Sequence, residues 1–232
     1  MYPSKSAPNY GVFVKNTEDI LREAGFYIDR TALQKENNKL KKLLKYMFYY
    51  LKILFKGLTR KYDITYVHYA AHNAFPVLLL KRMKKNMFIC TNVHGSDVVP
   101  EVPSQEKYQK AVKKLLEESD IIIAPSNYYK TLIREKYGIN NRIEVFPSGG
   151  VNSQIFYARK DKRNVLEELQ LNGDYRYIGY VSRLDIGKGW DVFLKSLKKL
   201  HDENYLENGR LKAIVVGDGK DKNKFLEMIK SF

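Results

Sequence analysis

With 232 residues the chain is long enough for one large domain or two small ones, and a hydrophobic share of 44% provides for a buried core. A single cysteine, Cys90, excludes an intrachain disulfide framework, four scattered histidines offer no cluster for a structural metal, and no G-x-G-x-x-G follows a strand, so neither a structural metal nor a dinucleotide cofactor is expected. The formal charge of +15 is uneven: residues 35 to 61 carry nine Lys or Arg against one Glu, a field that attracts anionic membranes, nucleic acid or phosphorylated ligands without choosing among them.

The opening MYPSKSAPNYG lacks the charged-then-apolar order of a signal peptide. No stretch reaches the roughly 20 apolar residues that span a bilayer. The expectation is a cytoplasmic protein whose contact with membrane, if any, is peripheral. In chain order the pattern predicts a helix over 14–24, a short strand near Phe26 to Ile28, a helix over 37–58, a strand over 64–69 and a helix over 71–84. A strand over 87–92, a helix over 104–118, a strand over 120–124, a helix over 127–137 and a strand over 142–146 follow. Turn formers then cluster at 147–153, Pro-Ser-Gly-Gly-Val-Asn-Ser, and mark a domain boundary. Beyond it lie strands at 177–182 and 212–217 and helices at 189–201 and 220–231. Short apolar strands alternating with amphipathic segments predict an α/β fold of two Rossmann-like parallel-sheet domains, residues 1–150 and 151–232. The second holds two convincing strands and is incomplete.

Within 37–58, leucines recur at helical spacing while Lys41, Lys42, Lys45, Lys52 and Lys56 fall on the opposite side. One reading is a core-packed helix with a solvated lysine face. The other makes those lysines a surface for anionic lipid, with phosphate-rich polymers a more distant partner. Nucleic acid is disfavoured because no recognition motif accompanies the basic helix.

Segment 177–197, YIGYVSRLDIGKGWDVFLKSL, reads as a strand, a polar loop with Arg183 and Lys188, and a helix. A loop at the carboxyl end of a parallel strand feeding a helix is where open α/β sheets bind phosphates. Arg183 can clamp two oxygens with its planar fork and Lys188 adds a compact charge, a pair suited to a diphosphate; equally, both can be incidental charges on a solvated loop. Gly217 and Gly219 give a weak phosphate signal that packing alone also explains. Gly11 suits close backbone approach to a phosphate or sugar, or simply a turn. His94 reads as a satisfied structural residue or a ligand contact, and Asp97 as a cap or as a residue orienting His94 or an acceptor hydroxyl. His68 and His72 stand four apart, but Tyr69 occupies the place of the glutamate a zinc-protease helix needs, and Cys90 lies inside an apolar strand.

Ser182-Arg183-Leu184 followed by Lys188-Gly189 resembles the donor-diphosphate motif of the retaining glycosyltransferase family 4. Tyr2-Pro3-Ser4 with Pro8 and Gly11, Val93-His94-Gly95-Ser96-Asp97, Phe146-Pro147-Ser148-Gly149-Gly150-Val151-Asn152 and Val216-Gly217-Asp218-Gly219 resemble further segments of that family in the same order. The resemblance implies a GT-B fold and transfer of a sugar from a nucleoside diphosphate to a glycan or lipid-linked acceptor, without metal, in polysaccharide or cell-envelope glycan synthesis. It implies that Arg183 and Lys188 bind the leaving diphosphate and that His94 contacts the transferred sugar. Relatives begin with an apolar strand ahead of the Tyr-Pro-Ser loop and continue past Phe232 to a pair of donor-binding glutamates. The expectation is therefore a chain that keeps the fold and the phosphate-binding residues with weak or no activity, and whose sheet edges favour homo-oligomers.

Overall fold

The computed structural model describes residues 1–231 apart from 9, 37, 148–150 and 152. The chain divides into two compact units, Met1–Asn152 and Ser153–Phe232. Positions 148–150 and 152 of the turn-rich boundary lie outside the described residues.

The first unit begins with helix α1 (Val12–Glu23), which follows Gly11, and helix α2 (Lys39–Thr59), capped by the Asn38 side chain accepting from the Lys41 amide. Between them the expected strand at Phe26 to Ile28 does not form: this stretch has no ladder partner among the described residues, and Tyr27 is 89% exposed. The segment is held instead by polar contacts, with Asp29 accepting from Lys56, Arg60 and Tyr62.

Four short strands then form one parallel sheet in chain order, β1 (Thr65–His68), β2 (Ile89–Asn92), β3 (Ile121–Ala124) and β4 (Arg142–Val145). Their crossovers are α3 (Ala70–Met83), a 3-10 turn (Pro103–Tyr108) with α4 (Gln109–Glu117), and α5 (Asn127–Tyr137). Apolar runs such as Ile121–Ala124 fit strands covered on both faces. Ile89, Val93, Val112, Leu115, Leu116, Ile122 and Ile133 pack into one core and are fully buried. The register pairs His68 with Asn92 at the carboxyl ends of β1 and β2.

Helix α2 meets α3 through its tyrosines rather than its leucines. Pro76 inside α3 has no amide to offer the His72 carbonyl, and the Tyr50 hydroxyl donates to that carbonyl instead at 2.8 Å. Tyr49 donates to Asn73 Oδ1 at 2.7 Å, and a side chain at Gly57 would collide with Leu80. The reading of α2 as a helix that buries its leucines is thereby corrected: Leu40, Leu43, Met47, Phe48, Leu51 and Phe55 are all exposed.

The second unit contains α6 (Lys162–Glu168), β5 (Arg176–Val181), α7 (Trp190–Asp202), α8 (Tyr205–Asn208), β6 (Leu211–Val216) and α9 (Lys222–Lys230). Strands β5 and β6 pair in parallel from Arg176–Leu211 to Val181–Val216. Leu184, Trp190, Leu194, Leu197 and Phe225 form a smaller core. Helices α6 and α8 escape sequence reading because each is two turns or fewer and buries no residue.

Candidate active site

In the first unit, the site residues gather at the carboxyl ends of β1 and β2. His68 ends β1, and Tyr69 follows it at φ 67°, ψ 92°, a conformation that costs a bulky residue about 1–3 kcal/mol and is found where surroundings impose it. Those surroundings are specific. The Tyr69 amide donates to the Asn92 carbonyl at 3.1 Å, and its hydroxyl lies 2.5 Å from Ser96 Oγ. Asn73 Nδ2 donates to the carbonyls of His68 and Tyr69 at 2.7 and 3.0 Å, so the Tyr49–Asn73 contact links α2 to this turn.

Asp97 organises the loop after β2. It is fully buried, and its two oxygens accept from the amides of His94 and Ala70, each at 2.9 Å, joining the histidine loop to the first turn of α3. Burial raises its pKa, and those amide bonds oppose the rise. Asp97 thus ties the His94 backbone to the start of α3.

The His94 ring is half-buried, with Phe13 at 4.5 Å and Tyr69 stacked at 5.4 Å between centroids. Its Nε2 lies 3.1 Å from Nδ1 of His68. Desolvation and then the neighbouring chain-terminal amine lower the His94 pKa to about 4. Desolvation, then His94 and the same amine, take His68 to about 3. Both rings are neutral at physiological pH and titrate only in acid. Asn92 is fully buried, donates to the Tyr66 hydroxyl at 2.9 Å, and leaves Oδ1 without a partner among the described residues. Gly11 is at φ 78°, and a Cβ there would stand 2.8 Å from the Met1 carbonyl carbon, so its freedom serves an approach within the chain.

In the second unit the turns after β5 and β6 are fastened together. Ser182 donates to the Val216 carbonyl at 3.2 Å, Leu184 to Asp218 at 3.0 Å and Asp221 to Leu184 at 2.9 Å. The fit leaves no space for side chains at Gly217 and Gly219, which would overlap the carbonyl oxygens of Ser182 and Leu184. Packing therefore accounts for both glycines. Arg183 and Lys188 are solvent-exposed on this frame. Arg183 pairs with Asp185 at 2.9 Å, and Asp185 also accepts from the Lys220 amide at 3.0 Å. Gly187 and Gly189 take φ of 81° and 77°, turning the chain around Lys188 into α7.

Residues 11–150 match Glycosyltransferase Family 4, and residues 161–232 match Glycosyl transferases group 1. The chain belongs to glycosyltransferase family 4. No curated protein is similar enough to count as a match. Among solved structures, the Candida albicans trehalose-6-phosphate phosphatase N-terminal domain is similar at TM-score 0.59 and 15% identity, covering 97% of this chain and 53% of that one. An E. coli trehalose-6-phosphate structure bound with UDP-2-fluoro glucose is similar at TM-score 0.54 and 13% identity, covering 84% and 49%. An α,α-trehalose-phosphate synthase (UDP-forming) from Burkholderia vietnamiensis is similar at TM-score 0.52 and 16% identity, covering 84% and 48%. This chain spans about half the length of each. The fold is GT-B, in a chain of partial length.

Several residues of these clusters in the family 4 chain escape sequence reading. Asp185 is an ordinary loop aspartate until the structure shows it holding Arg183. His68 is spaced from His72 as a metal pair would be, yet it meets His94, while His72 packs against Tyr46 and Tyr108. Among the described residues no three His, Cys, Asp or Glu could share a metal. Cys90 is buried in β2 with its thiol pushed up to about 11 by desolvation, leaving it protonated and inert.

The lysines of α2 divide. Lys56 is consumed by Asp29, and its side chain is 15% exposed; its guanidinium and hydroxyl neighbours Arg60 and Tyr62 join it in holding Asp29 at a pKa of about 2. Lys45 pairs with Glu36 at 2.8 Å. Lys41, Lys42 and Lys52 are exposed, and no helix among the described residues is long and apolar enough to cross a membrane.

Proposed function

We propose that this chain carries donor-binding and sugar-contacting residues of a glycosyltransferase that moves a sugar from a nucleoside diphosphate to an acceptor hydroxyl. The observation that carries the reading is the β5–α7 turn, where a backbone-fastened frame at the carboxyl end of a parallel strand presents Arg183 and Lys188 to solvent. As the glycosidic bond breaks, negative charge grows on the departing diphosphate, and a guanidinium and an ammonium held in place stabilise it without reorganising. One such donor is worth about 3–4 kcal/mol, a hundredfold or more in rate. Asp185 holds the Arg183 fork until phosphate oxygens replace or share that contact. His94 we assign to a hydroxyl of the transferred sugar, where a neutral imidazole offers one donor and one acceptor. The charge is neutralised by side chains alone, with no metal in the scheme. That a solved structure of similar fold holds UDP-2-fluoro glucose makes uridine nucleotides the first donors to test.

Titration calorimetry with UDP, GDP and their sugar conjugates tests the reading. Binding that Arg183→Ala and Lys188→Ala each weaken supports it; no binding to a folded sample overturns it.

A second observation favours a lipid-linked acceptor made at the cytoplasmic face of a membrane, as in cell-envelope glycan or polysaccharide synthesis. Helix α2 exposes Leu40, Leu43, Met47, Leu51 and Phe55, and exposed Lys41 and Lys52 flank that stripe, the combination that lays a helix into an anionic interface. Vesicles of phosphatidylglycerol should retain the chain at low salt, and Lys41→Glu with Lys52→Glu should release it. Outer strands β1 and β4 are where self-association would add strands, which sedimentation at several concentrations reads.

A further inference from the structure

We infer that His68 is a positioning residue that fixes the tautomer of His94 and leaves the free nitrogen of His94 as a hydrogen-bond acceptor. The inference rests on the assignment of His94 to a sugar hydroxyl and adds which side of that hydrogen bond the ring takes.

Two ring nitrogens 3.1 Å apart, His68 Nδ1 and His94 Nε2, must share one proton. A proton on both facing nitrogens would set N–H against N–H, a proton on neither would set lone pair against lone pair, and a second proton on either ring would need a buried charge, which desolvation opposes. The contact therefore couples the tautomers. If His94 Nε2–H donates, both rings carry hydrogen on Nε2. If His68 Nδ1–H donates, both carry it on Nδ1, the less stable form of a free imidazole, twice over. The first arrangement is the one assigned, and it turns His94 Nδ1 into a bare lone pair. The rings cannot readily swing out of this arrangement. They lie 20° from parallel with centroids 5.3 Å apart, Phe13 and Tyr69 pack on His94, and Tyr66 packs on His68 at 4.9 Å. The His68 and Tyr69 carbonyls are held by Asn73, and the His94 amide by Asp97, so both backbones are fixed.

The sugar hydroxyl facing His94 must then donate its hydrogen to Nδ1. A donor sugar lacking that hydroxyl, or carrying fluorine there, loses the contact.

Long-range ¹H–¹⁵N correlation spectra of the imidazoles of the whole chain at pH 7 test this directly. The expected result is hydrogen on Nε2 of both His68 and His94; hydrogen on Nδ1 of His94, or fast averaging of its tautomers, overturns the inference. In His68→Phe, a ring without an acceptor, His94 should become averaged, and the preference for UDP-sugar over UDP should fall about tenfold while UDP affinity stays within about twofold. An unchanged His94 spectrum in the variant overturns it as well. The wild-type spectrum needs no variant to fold, and it separates the two ideas. A wild-type chain with the expected tautomers that ignores UDP defeats the proposed function alone; one that binds UDP with the opposite tautomer defeats this inference alone.

Discussion

The turn after β1 with the loop after β2, and the turns after β5 and β6, solve the same problem by opposite means. The first pair buries its polar groups, with Asp97 spanning two amides, Tyr69 strained into a left-handed conformation and His94 kept neutral by desolvation. The second is fastened mainly by backbone hydrogen bonds, with Leu184 and Asp221 buried beneath, and leaves Arg183 and Lys188 in water. The difference teaches that a neutral ring can be held in dry, fixed surroundings, whereas cations without a buried partner stay hydrated; under the proposed roles, the first setting suits a sugar hydroxyl and the second a diphosphate.

If that contrast holds, the largest effect should come from the frame of the second site. Gly217→Ala forces a methyl group into the Ser182 carbonyl and should destabilise the second unit by on the order of 4 kcal/mol. Urea unfolding followed through Trp190, the chain's one tryptophan, reads it, and a loss under about 1 kcal/mol would mean the turns are not fastened as described.

Next comes acid. His68 and His94 have folded pKa values of about 3 and 4, below the ordinary 6.5, so as pH falls the unfolded chain binds protons first. Their contribution is fully present above pH 6.5 and is lost as pH drops toward 4, by up to about 3 kcal/mol per ring. Of the charged groups nearby, burial lowers the Met1 amine and raises the Asp97 carboxyl. Amide-exchange protection of β1 and β2 between pH 7 and 5 should fall in the wild type and fall less in His94→Phe.

A third test asks whether the exposed cations are free of structural duty. Arg183→Ala and Lys188→Ala should leave the Trp190 unfolding midpoint within about 0.5 kcal/mol while weakening UDP binding about 10- to 100-fold. Smallest is the division among the α2 lysines. Lys56→Ala leaves Asp29 short of its main partner and should cost about 1 kcal/mol in urea unfolding followed by circular dichroism, against nothing measurable for Lys41→Ala.

The strands of the first sheet were legible because a parallel sheet covered on both faces demands apolar runs, as in Ile121–Ala124, and β6 was legible from its β-branched Ile214, Val215 and Val216. Helix α2 was legible as a helix but not in its facing. Its leucines mark an apolar stripe, yet Tyr49 and Tyr50 find hydrogen-bond partners on α3, one of them a carbonyl that Pro76 leaves open. No periodicity encodes such a carbonyl. In the same way Arg183 and Lys188 stand in a motif that reads on sight, whereas Asp185 has no signal beyond being a loop carboxylate.

By itself the sequence determined the α/β alternation, the six strands, the family resemblance and the place of Arg183 and Lys188 in the turn after β5, because these depend on local pattern and on order along the chain. Only the tertiary structure decided that His68 faces His94, that Tyr69 is strained, that Lys56 belongs to Asp29, and that Gly217 and Gly219 make room for carbonyls. Each of those pairs residues far apart in sequence through strand register or helix packing, and a one-residue change of register would have dissolved them while leaving every local pattern intact.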